Sequence, residues 1–333
     1  MHQVTFRIGR IAASLIVTGA VLLGANAGRA QDKFPDHPIR LIVPFPPGGQ
    51  TDTVSRHLSA KIAPVIGQQL IIDNRGGASG AIGSAEVARA KPDGYTLLIA
   101  TSSTHALNPT AMPNVPYDAV KDFAPITVLG TGPIALSVHP SVPAKTLKQL
   151  ITDVKAHPGQ YSYGSSGVGS INNLAGELLK MRAGKLQILH VPYKGAGPAM
   201  TDLVSGQIPI VCSTLNAALP HFRNGRVRTL AVMKEERSLG APDIPTTGEA
   251  GAPGVIAYTY NILLAPAGTP HSAVEFMSEA IGKVMSDRSF LDTLVKVGVD
   301  PVTDSNPDKA AAMLKTELEK WAPIIKSLGL GRQ

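Results

Sequence analysis

A strand and the loop that follows it are predicted by the stretch Ile39-Arg40-Leu41-Ile42-Val43-Pro44-Phe45-Pro46-Pro47-Gly48-Gly49. Its first five residues are β-prone, and its last four are two prolines and two glycines, which favour a turn. A helical pattern runs from about Asp52 to Ile66, with Thr51 or Asp52 as the expected N-cap. A strand that leads through a glycine loop into a helix is typical of a parallel α/β sheet.

The same order of strand, small-residue loop and helix recurs along the chain. Further strands are predicted at residues 70–72, 95–100, 134–138, 161–163, 188–191, 208–212 and 227–232. From Pro270 onwards the pattern is mostly helical, with one more strand candidate near Val297. A chain of 333 residues has the length of about two domains. Because the C-terminal third lacks the strands for a third domain, we expect it to return to the first.

Residues 1–30 have the pattern of a cleaved secretory signal peptide. Arg7 and Arg10 form its positive start, residues 11–25 are uncharged, and cleavage is expected at Ala27 or Ala30. A membrane anchor is the alternative, but this uncharged stretch is shorter than the roughly 20 residues that span a bilayer. Since residues 1–30 hold three arginines and no acidic residue, removal of all thirty residues lowers the formal net charge from +7 to +4. The remaining basic residues do not cluster, so we do not expect nucleic-acid binding.

Cysteine and histidine usage argues against a metal centre. The single cysteine, Cys212, excludes an internal disulfide framework and a cysteine-based zinc cluster. It lies in the apolar run 208–212, so we predict a packed, inert thiol rather than a nucleophile. The nine histidines form neither an H-x-x-x-H nor an H-E-x-x-H pair. We therefore expect no metal and no cofactor.

Signatures of catalysis are missing from the sequence. The stretch Gly164-Ser165-Ser166-Gly167-Val168 lacks the final glycine of a nucleophile elbow. The glycine clusters match neither the phosphate-binding P-loop nor the G-x-G-x-x-G dinucleotide fingerprint. We therefore expect a protein that is not an enzyme.

Four small-residue loops form the candidate binding site, because ligands of open α/β sheets bind at the carboxyl ends of strands. Glycine and serine allow close approach of the backbone, and the first N–H groups of each following helix have no partner inside it. Together with the helix dipole they can hold an anion without an arginine, so we expect a small carboxylate. The loops are residues 45–52, 101–105, 165–170 and 193–197.

Each loop also has a structural interpretation. Gly48-Gly49 fits a tight turn, and Asp52 fits a helix cap better than a ligand contact. His105 fits a structural role as well as a binding role, and Lys194 fits a solvated surface charge as well as an anion contact. Only in residues 164–170 does the content of glycine and serine exceed what a turn requires, which favours a binding role there.

Several motifs resemble those of tripartite tricarboxylate transporter substrate-binding proteins, also called the Bug family. The resemblance begins at residues 38–49 and covers essentially the whole chain after residue 30. Its further motifs are Asp73-Asn74-Arg75-Gly76-Gly77-Ala78-Ser79-Gly80, Lys91-Pro92-Asp93-Gly94-Tyr95-Thr96-Leu97-Leu98, His190-Val191-Pro192-Tyr193-Lys194-Gly195, Ala218-Leu219-Pro220-His221 and Leu264-Ala265-Pro266-Ala267-Gly268-Thr269-Pro270.

The resemblance implies an α/β fold of the two-domain periplasmic-binding-protein type, a Venus flytrap of type II-like topology. Each domain would be a mostly parallel sheet flanked by helices, with residues 31–129 and 262–333 in domain I and residues 130–261 in domain II. It further implies a periplasmic, monomeric receptor that binds a small carboxylate and delivers it to a membrane transporter of one large and one small subunit. A receptor that presents its ligand to a signalling partner is the first alternative, and a secreted hydrolase is the second.

Carried over by position, the resemblance also implies which residues hold the ligand. One end would contact Phe45, Pro47, Gly48, Gly49, Thr101, Ser102, Ser103 and His105. The other end would contact Ser165, Gly167, Gly169, Ser170, Tyr193, Lys194, Gly195 and Ser213.

Three positions depart from the family pattern. Cys212-Ser213-Thr214 stands where many relatives have a Phe-Asp-Asn-like segment, so that Ser213 replaces a cleft carboxylate. Asn173 stands in place of a common histidine, and Tyr260-Asn261 stands in place of a Trp-aromatic pair. Because an aspartate could bind a ligand ammonium, its loss leads us to expect a carboxylate that carries no amino group.

Overall fold

Ten strands form one mixed sheet in the computed structural model, which describes residues 34–112 and 114–329. The predicted signal peptide lies outside the described residues. The strands are β1 (Ile39–Val43), β2 (Leu70–Asn74), β3 (Thr96–Ala100), β4 (Phe123–Val138), β5 (Tyr161–Ser165), β6 (Ile188–Pro192), β7 (Ile210–Thr214), β8 (Arg228–Val232), β9 (Tyr258–Pro266) and β10 (Asp300–Pro301).

The strands follow the order β2-β1-β3-β9-β4-β7-β5-β6, and β8 and β10 both pair with β4. Parallel pairing joins β1 to β2 and β3, and β5 to β6 and β7. Every antiparallel pair in the described chain involves β4 or β9. The two parallel groups therefore meet through these two long strands.

Strand β4 changes partner along its length. Its residues from Phe123 to Pro133 pair with β9, and its residues from Ile134 to Val138 pair with β7 and β8. The predicted domain boundaries, at 129/130 and 261/262, fall inside β4 and β9. The division itself stays a prediction.

Helices cover the sheet between most of the strands. They are α1 (Gln50–Ile66), α2 (Ala81–Ala88), α3 (Asn108–Ala111), α4 (Leu147–Ala156), α5 (Ile171–Arg182), α6 (Ala196–Val204), α7 (Leu215–Arg223), α8 (His271–Met285), α9 (Arg288–Lys296) and α10 (Pro307–Ser327). A short 3₁₀ turn, Ala78–Gly80, precedes α2, and a π-helical turn, Ser103–Leu107, precedes α3.

Helix α1 begins earlier than predicted. Its N-cap is Gly49, not Thr51 or Asp52, which both lie inside the first turn. Asp52 instead accepts a hydrogen bond from the backbone N–H of Gly48 at 3.0 Å, so its carboxylate fixes the loop that enters the helix. The helix ends at Gly67, whose φ of 72° is left-handed and suits glycine.

The C-terminal helix α10 packs into two hydrophobic cores. Leu314 lies with Ile42 and Leu98 in one core, whereas Trp321 lies with Leu136 in the other. The C-terminal segment thus packs against strands of the first half and also against those of the second half. Within the described chain, no helix is both long enough and apolar enough to cross a membrane.

Cys212 is buried on β7, as its apolar surroundings predicted. Burial raises the pKa of its thiol to about 12, and the negative charge of Glu177 acts in the same direction. The thiolate, which is the reactive form, is therefore scarce in the folded protein.

We expect no thiol of the folded protein to react with a disulfide reagent such as DTNB at neutral pH, and one thiol per chain to react in concentrated guanidinium chloride. The C212A variant, which should react in neither state, is the blank. Rapid reaction of the folded protein would contradict the packing described here.

His105 is a core residue in the structure. Its ring centroid lies 4.6 Å from that of Phe123 and 5.7 Å from that of Tyr117, and its Nδ1 lies 2.9 Å from Thr104 Oγ1. Only 1% of the residue is exposed, and burial lowers the pKa of the imidazole to about 3. The surroundings of His105 therefore fit the structural role that the sequence analysis offered beside a binding role.

This burial predicts a pH-dependent loss of stability. The pKa of His105 in the folded protein lies below its unfolded value of about 6.5, so on acidification the unfolded state takes up a proton first. The free energy of unfolding should then fall by about 1.4 kcal/mol for each pH unit below about 6.5. H105F should lose less stability than the wild type between about pH 7 and about pH 5 in urea titrations. H271Q, which removes an exposed histidine, is the control, and equal losses in H105F and wild type would refute the assignment.

Candidate functional site

A cleft lies where several strand-to-helix connections meet. Its lining comes from the connections after β1, β3, β5, β6 and β7 and from β9. The lining residues are Phe45, Pro46, Pro47, Gly49, Gln50, Thr51, Thr101, Ser103, Ser166, Ile171, Asn172, Gly195, Ala196, Gly197, Pro198, Thr214 and Thr259.

The starts of four helices reach this cleft. Helix α1 contributes its first residue, Gln50, α5 contributes Ile171, and α6 contributes Ala196. Helix α7 contributes its N-cap, Thr214. The N-caps of α1, α6 and α7 make no side-chain capping hydrogen bond within the described chain. The positive ends of four helix dipoles therefore gather around one space, and three of these helices lack a side-chain cap for their first N–H groups.

The cleft has no formal charge: among the described residues, its lining includes no lysine, arginine, histidine, aspartate or glutamate. The nearest acidic residue in sequence, Asp52, is held in the first turn of α1. Burial would raise the pKa of its carboxyl, but hydrogen bonds from Arg56, Gly48 and Asn74 outweigh this effect and lower it. Its charge is paired with Arg56 at 3.0 Å. The cleft thus presents only neutral donors and acceptors.

A wider groove adjoins the cleft and shares Phe45, Pro46, Pro47 and Ser166 with it. Two loops meet along this groove, one with Ser79 and one with Val168. The Ser79 hydroxyl donates a hydrogen bond to the carbonyl oxygen of Val168 at 2.7 Å. Ser79 holds a left-handed φ of 52°, although it is not glycine.

The predicted binding residues fall into three groups. The residues that line the cleft are Phe45, Pro47, Gly49, Thr101, Ser103 and Gly195. Those that line the groove only are Gly167, Gly169, Tyr193 and Lys194. Those outside both linings are Gly48, Ser102, His105, Ser165, Ser170 and Ser213. Ligand contact stays a prediction for every one of them.

The serines outside the linings have partners within the fold. Ser102 donates to the carbonyl oxygen of Tyr258 at 3.0 Å, and the Ser165 hydroxyl lies 2.7 Å from His190 Nε2. Ser170 caps α5 by accepting from the backbone N–H of Asn173. These hydrogen bonds hold the loops in position from the side away from the cleft.

The hydroxyl on β7 that lines the cleft belongs to Thr214, not to Ser213 as expected. Successive side chains of a strand point to opposite faces, and Ser213 points into the core, where its hydroxyl lies 3.5 Å from Met200 Sδ. Asn173, another departure from the family pattern, also faces inward. Its amide accepts from the Gly169 N–H at 3.0 Å and donates to the Tyr163 hydroxyl at 2.8 Å.

The predicted contact residues lacked several lining side chains. Gln50 and Ser166 lie inside the predicted loops 45–52 and 165–170 but were not singled out, whereas Asn172, Thr214 and Thr259 lie outside all four loops. Gln50, Asn172 and Thr214 share a signal that was available: each stands at the start of a helix, or at its N-cap, where the chain passes from a strand into that helix. In the described part of the chain, no three His, Cys, Asp or Glu side chains come together as a metal site would require.

Comparison with known proteins gives consistent matches. A family model described as the tripartite tricarboxylate transporter family receptor matches residues 54–330. Protein BugT of Bordetella pertussis is 34% identical over 307 residues, which cover 92% of this chain and 94% of BugT.

Solved structures agree with this match. A periplasmic transporter is 39% identical with a TM-score of 0.86, and the match covers 90% of this chain and 99% of that one. Rpa4515 of R. palustris, solved with adipate, is 33% identical with a TM-score of 0.86, and the match covers 90% and 100% of the two chains.

These matches confirm the resemblance seen in the sequence and the α/β fold of the periplasmic-binding-protein type. The relatives are solute-binding receptors and not enzymes. This chain belongs to the family of tripartite tricarboxylate transporter receptors.

Proposed function

We propose that this protein is a periplasmic receptor that captures a small carboxylate in the cleft and delivers it to a tripartite tricarboxylate-type transporter. The observation that carries the proposal is the gathering of four helix N-termini around a neutral cleft. A helix N-terminus attracts anions through its free N–H groups and its dipole. Adipate, the ligand in the related R. palustris structure, is a carboxylate of this kind.

The proposed mechanism is closure of two lobes around the ligand. The lobes are the described parts of residues 31–129 and 262–333, and residues 130–261. Among the hydrogen bonds between them, two join loops beside the cleft: Ser79 Oγ donates to Val168 O at 2.7 Å, and the Ile171 N–H donates to Ser103 Oγ at 3.0 Å. Because an anion can contact helix starts from both lobes only when they approach, the ligand favours the closed form through its differential affinity.

The proposal extends to partners and location. The signal-like residues 1–30 would direct export and be removed after Ala27 or Ala30. The closed, liganded form would then dock, as a monomer, on the large and small membrane subunits of the transporter.

The test is thermal unfolding of protein purified from the periplasm and freed of host ligand by unfolding and refolding. A panel of carboxylates is compared with the matched neutral amides. A ligand at about 100 times its Kd should add about 2.7 kcal/mol of stability, which raises Tm by a few degrees. Equal shifts with acids and amides, or none with any acid, would refute an anion receptor.

The closing hydrogen bond gives a second prediction. S79A removes the bond to Val168, so the closed form should lose about 0.5–1.5 kcal/mol and the Kd for the carboxylate should rise about three- to tenfold. Calorimetric titration measures the Kd. S286A, which removes an exposed serine hydroxyl bonded to Lys283 O on α8, is the control. An unchanged Kd in S79A would show that this contact is not linked to binding.

A further inference from the structure

Three side chains that line the cleft have buried polar atoms without hydrogen-bond partners anywhere in residues 34–112 and 114–329. These atoms are both amide atoms of Gln50, the Oδ1 of Asn172 and the Oγ1 of Thr214. The exposed fractions of the three residues are 3%, 2% and 8%. All three line the same cleft, and they come from three different strand-to-helix connections.

The fold holds each of these side chains in place. The Gln50 amide lies against Gly132 on β4, where a Cβ would overlap it. Asn172 donates through Nδ2 to Ser166 Oγ at 2.9 Å, which leaves its Oδ1 as the unpaired atom. Thr214 is the N-cap of α7, but its hydroxyl makes no capping bond with any described residue.

Unpaired buried polar atoms are costly. Leaving one without a partner costs of order 1–3 kcal/mol, and native proteins pair nearly all of them. Apolar side chains of the same shape at these positions would avoid this cost. A bound molecule that pairs with Gln50, Asn172 and Thr214 would remove this cost.

The chemistry of these atoms indicates what the molecule must offer. A carboxylate only accepts hydrogen bonds, so it can pair with Gln50 Nε2 and the Thr214 hydroxyl but not with Gln50 Oε1 or Asn172 Oδ1. A hydroxyl both donates and accepts, so it can pair with an amide in either orientation. An ammonium donates as well, but a buried cation needs a negative partner. The described lining contains no carboxylate, and the helix ends around it are positive.

We propose that Gln50, Asn172 and Thr214 form a hydroxyl-binding subsite, and that the ligand of this receptor is a hydroxylated carboxylate. The inference rests on the proposed function and adds to it: the helix N-termini hold the anion, and the three side chains select the neutral group that accompanies it.

The test compares hydroxylated acids with their deoxy analogues by calorimetric titration of the ligand-free protein. The pairs are malate and succinate, 2-hydroxyadipate and adipate, and citrate and tricarballylate. In at least one pair the hydroxylated acid should bind roughly tenfold more tightly or better, because the deoxy acid leaves buried polar groups unpaired.

Three near-isosteric variants then locate the preference: Q50M, N172L and T214V. Each should reduce the ratio of hydroxylated to deoxy affinity several-fold, while the Kd of the deoxy acid changes less. T229V is the matched control, since Thr229 is equally buried on β8 and is hydrogen-bonded to Ser137 at 3.0 Å, outside the cleft. It should leave the ratio unchanged.

Thermal unfolding of the ligand-free variants gives a second readout that does not depend on binding. Q50M and T214V remove unpaired polar atoms, so they should unfold at or above the wild-type temperature, whereas T229V breaks a hydrogen bond and should unfold below it. If Q50M and T214V were destabilised as much as T229V, the subsite would be refuted.

The outcomes separate the two proposals. If deoxy acids bind as tightly as hydroxylated ones in every pair, the hydroxyl-binding subsite is wrong and the carboxylate receptor stands. If none of the six acids binds, the proposed function fails, and the subsite fails with it.

Discussion

The antiparallel pairing of β4 with β9 is the contact on which the rest of the structure depends. It joins the parallel group of β1, β2 and β3 to that of β5, β6 and β7. At Pro133 and Ile134, β4 passes from β9 to β7. Thr259 lies opposite Gly132 and Thr214 opposite Ile134, so two cleft residues flank this change of partner. The position of the cleft in the sheet is thus determined by strand pairing and not by the loops.

The same architecture explains how a cleft without formal charge in its described lining can attract an anion. Each parallel strand ends where a helix begins, and each helix start adds partial positive charge without a basic side chain. The one acidic group in the entry to α1, Asp52, is turned towards Gly48 and Arg56, so it does not oppose an anion in the cleft. Small residues keep the helix starts close to the space they surround.

Much of the fold was predictable from the sequence, because strand, loop and helix signals are local. The strands around residues 39–43, 70–74 and 188–192 and the loops after them lie where the patterns predicted. Strand β9 and the first part of β4 were not predicted, because their pairing joins residues more than a hundred positions apart. Such a pairing has no local signature.

The candidate site was predictable at the level of loops but not of side chains. Local patterns located the loops that reach the cleft, yet the direction of a side chain depends on neighbours distant in sequence. Thr214 rather than Ser213 faces the cleft because the pairing of β7 with neighbouring strands decides which face of the sheet each side chain points to. His105 turns inward because Tyr117 and Phe123, from a later segment, pack around it. Gln50 lies inside the predicted loop 45–52 but was not singled out, because α1 begins before the predicted cap.

The uncharged lining of the cleft also bears on how a bound anion leaves. An anion paired with arginine must separate from an opposite charge in a medium of low dielectric, which slows dissociation. Here the described lining offers dipoles and hydroxyls, so opening returns the anion directly to water. Under the proposed function we expect a short residence time and a weak dependence of binding on ionic strength, since no long-range attraction between formal charges is there to be screened. Both properties suit a receptor that must release its ligand in every transport cycle.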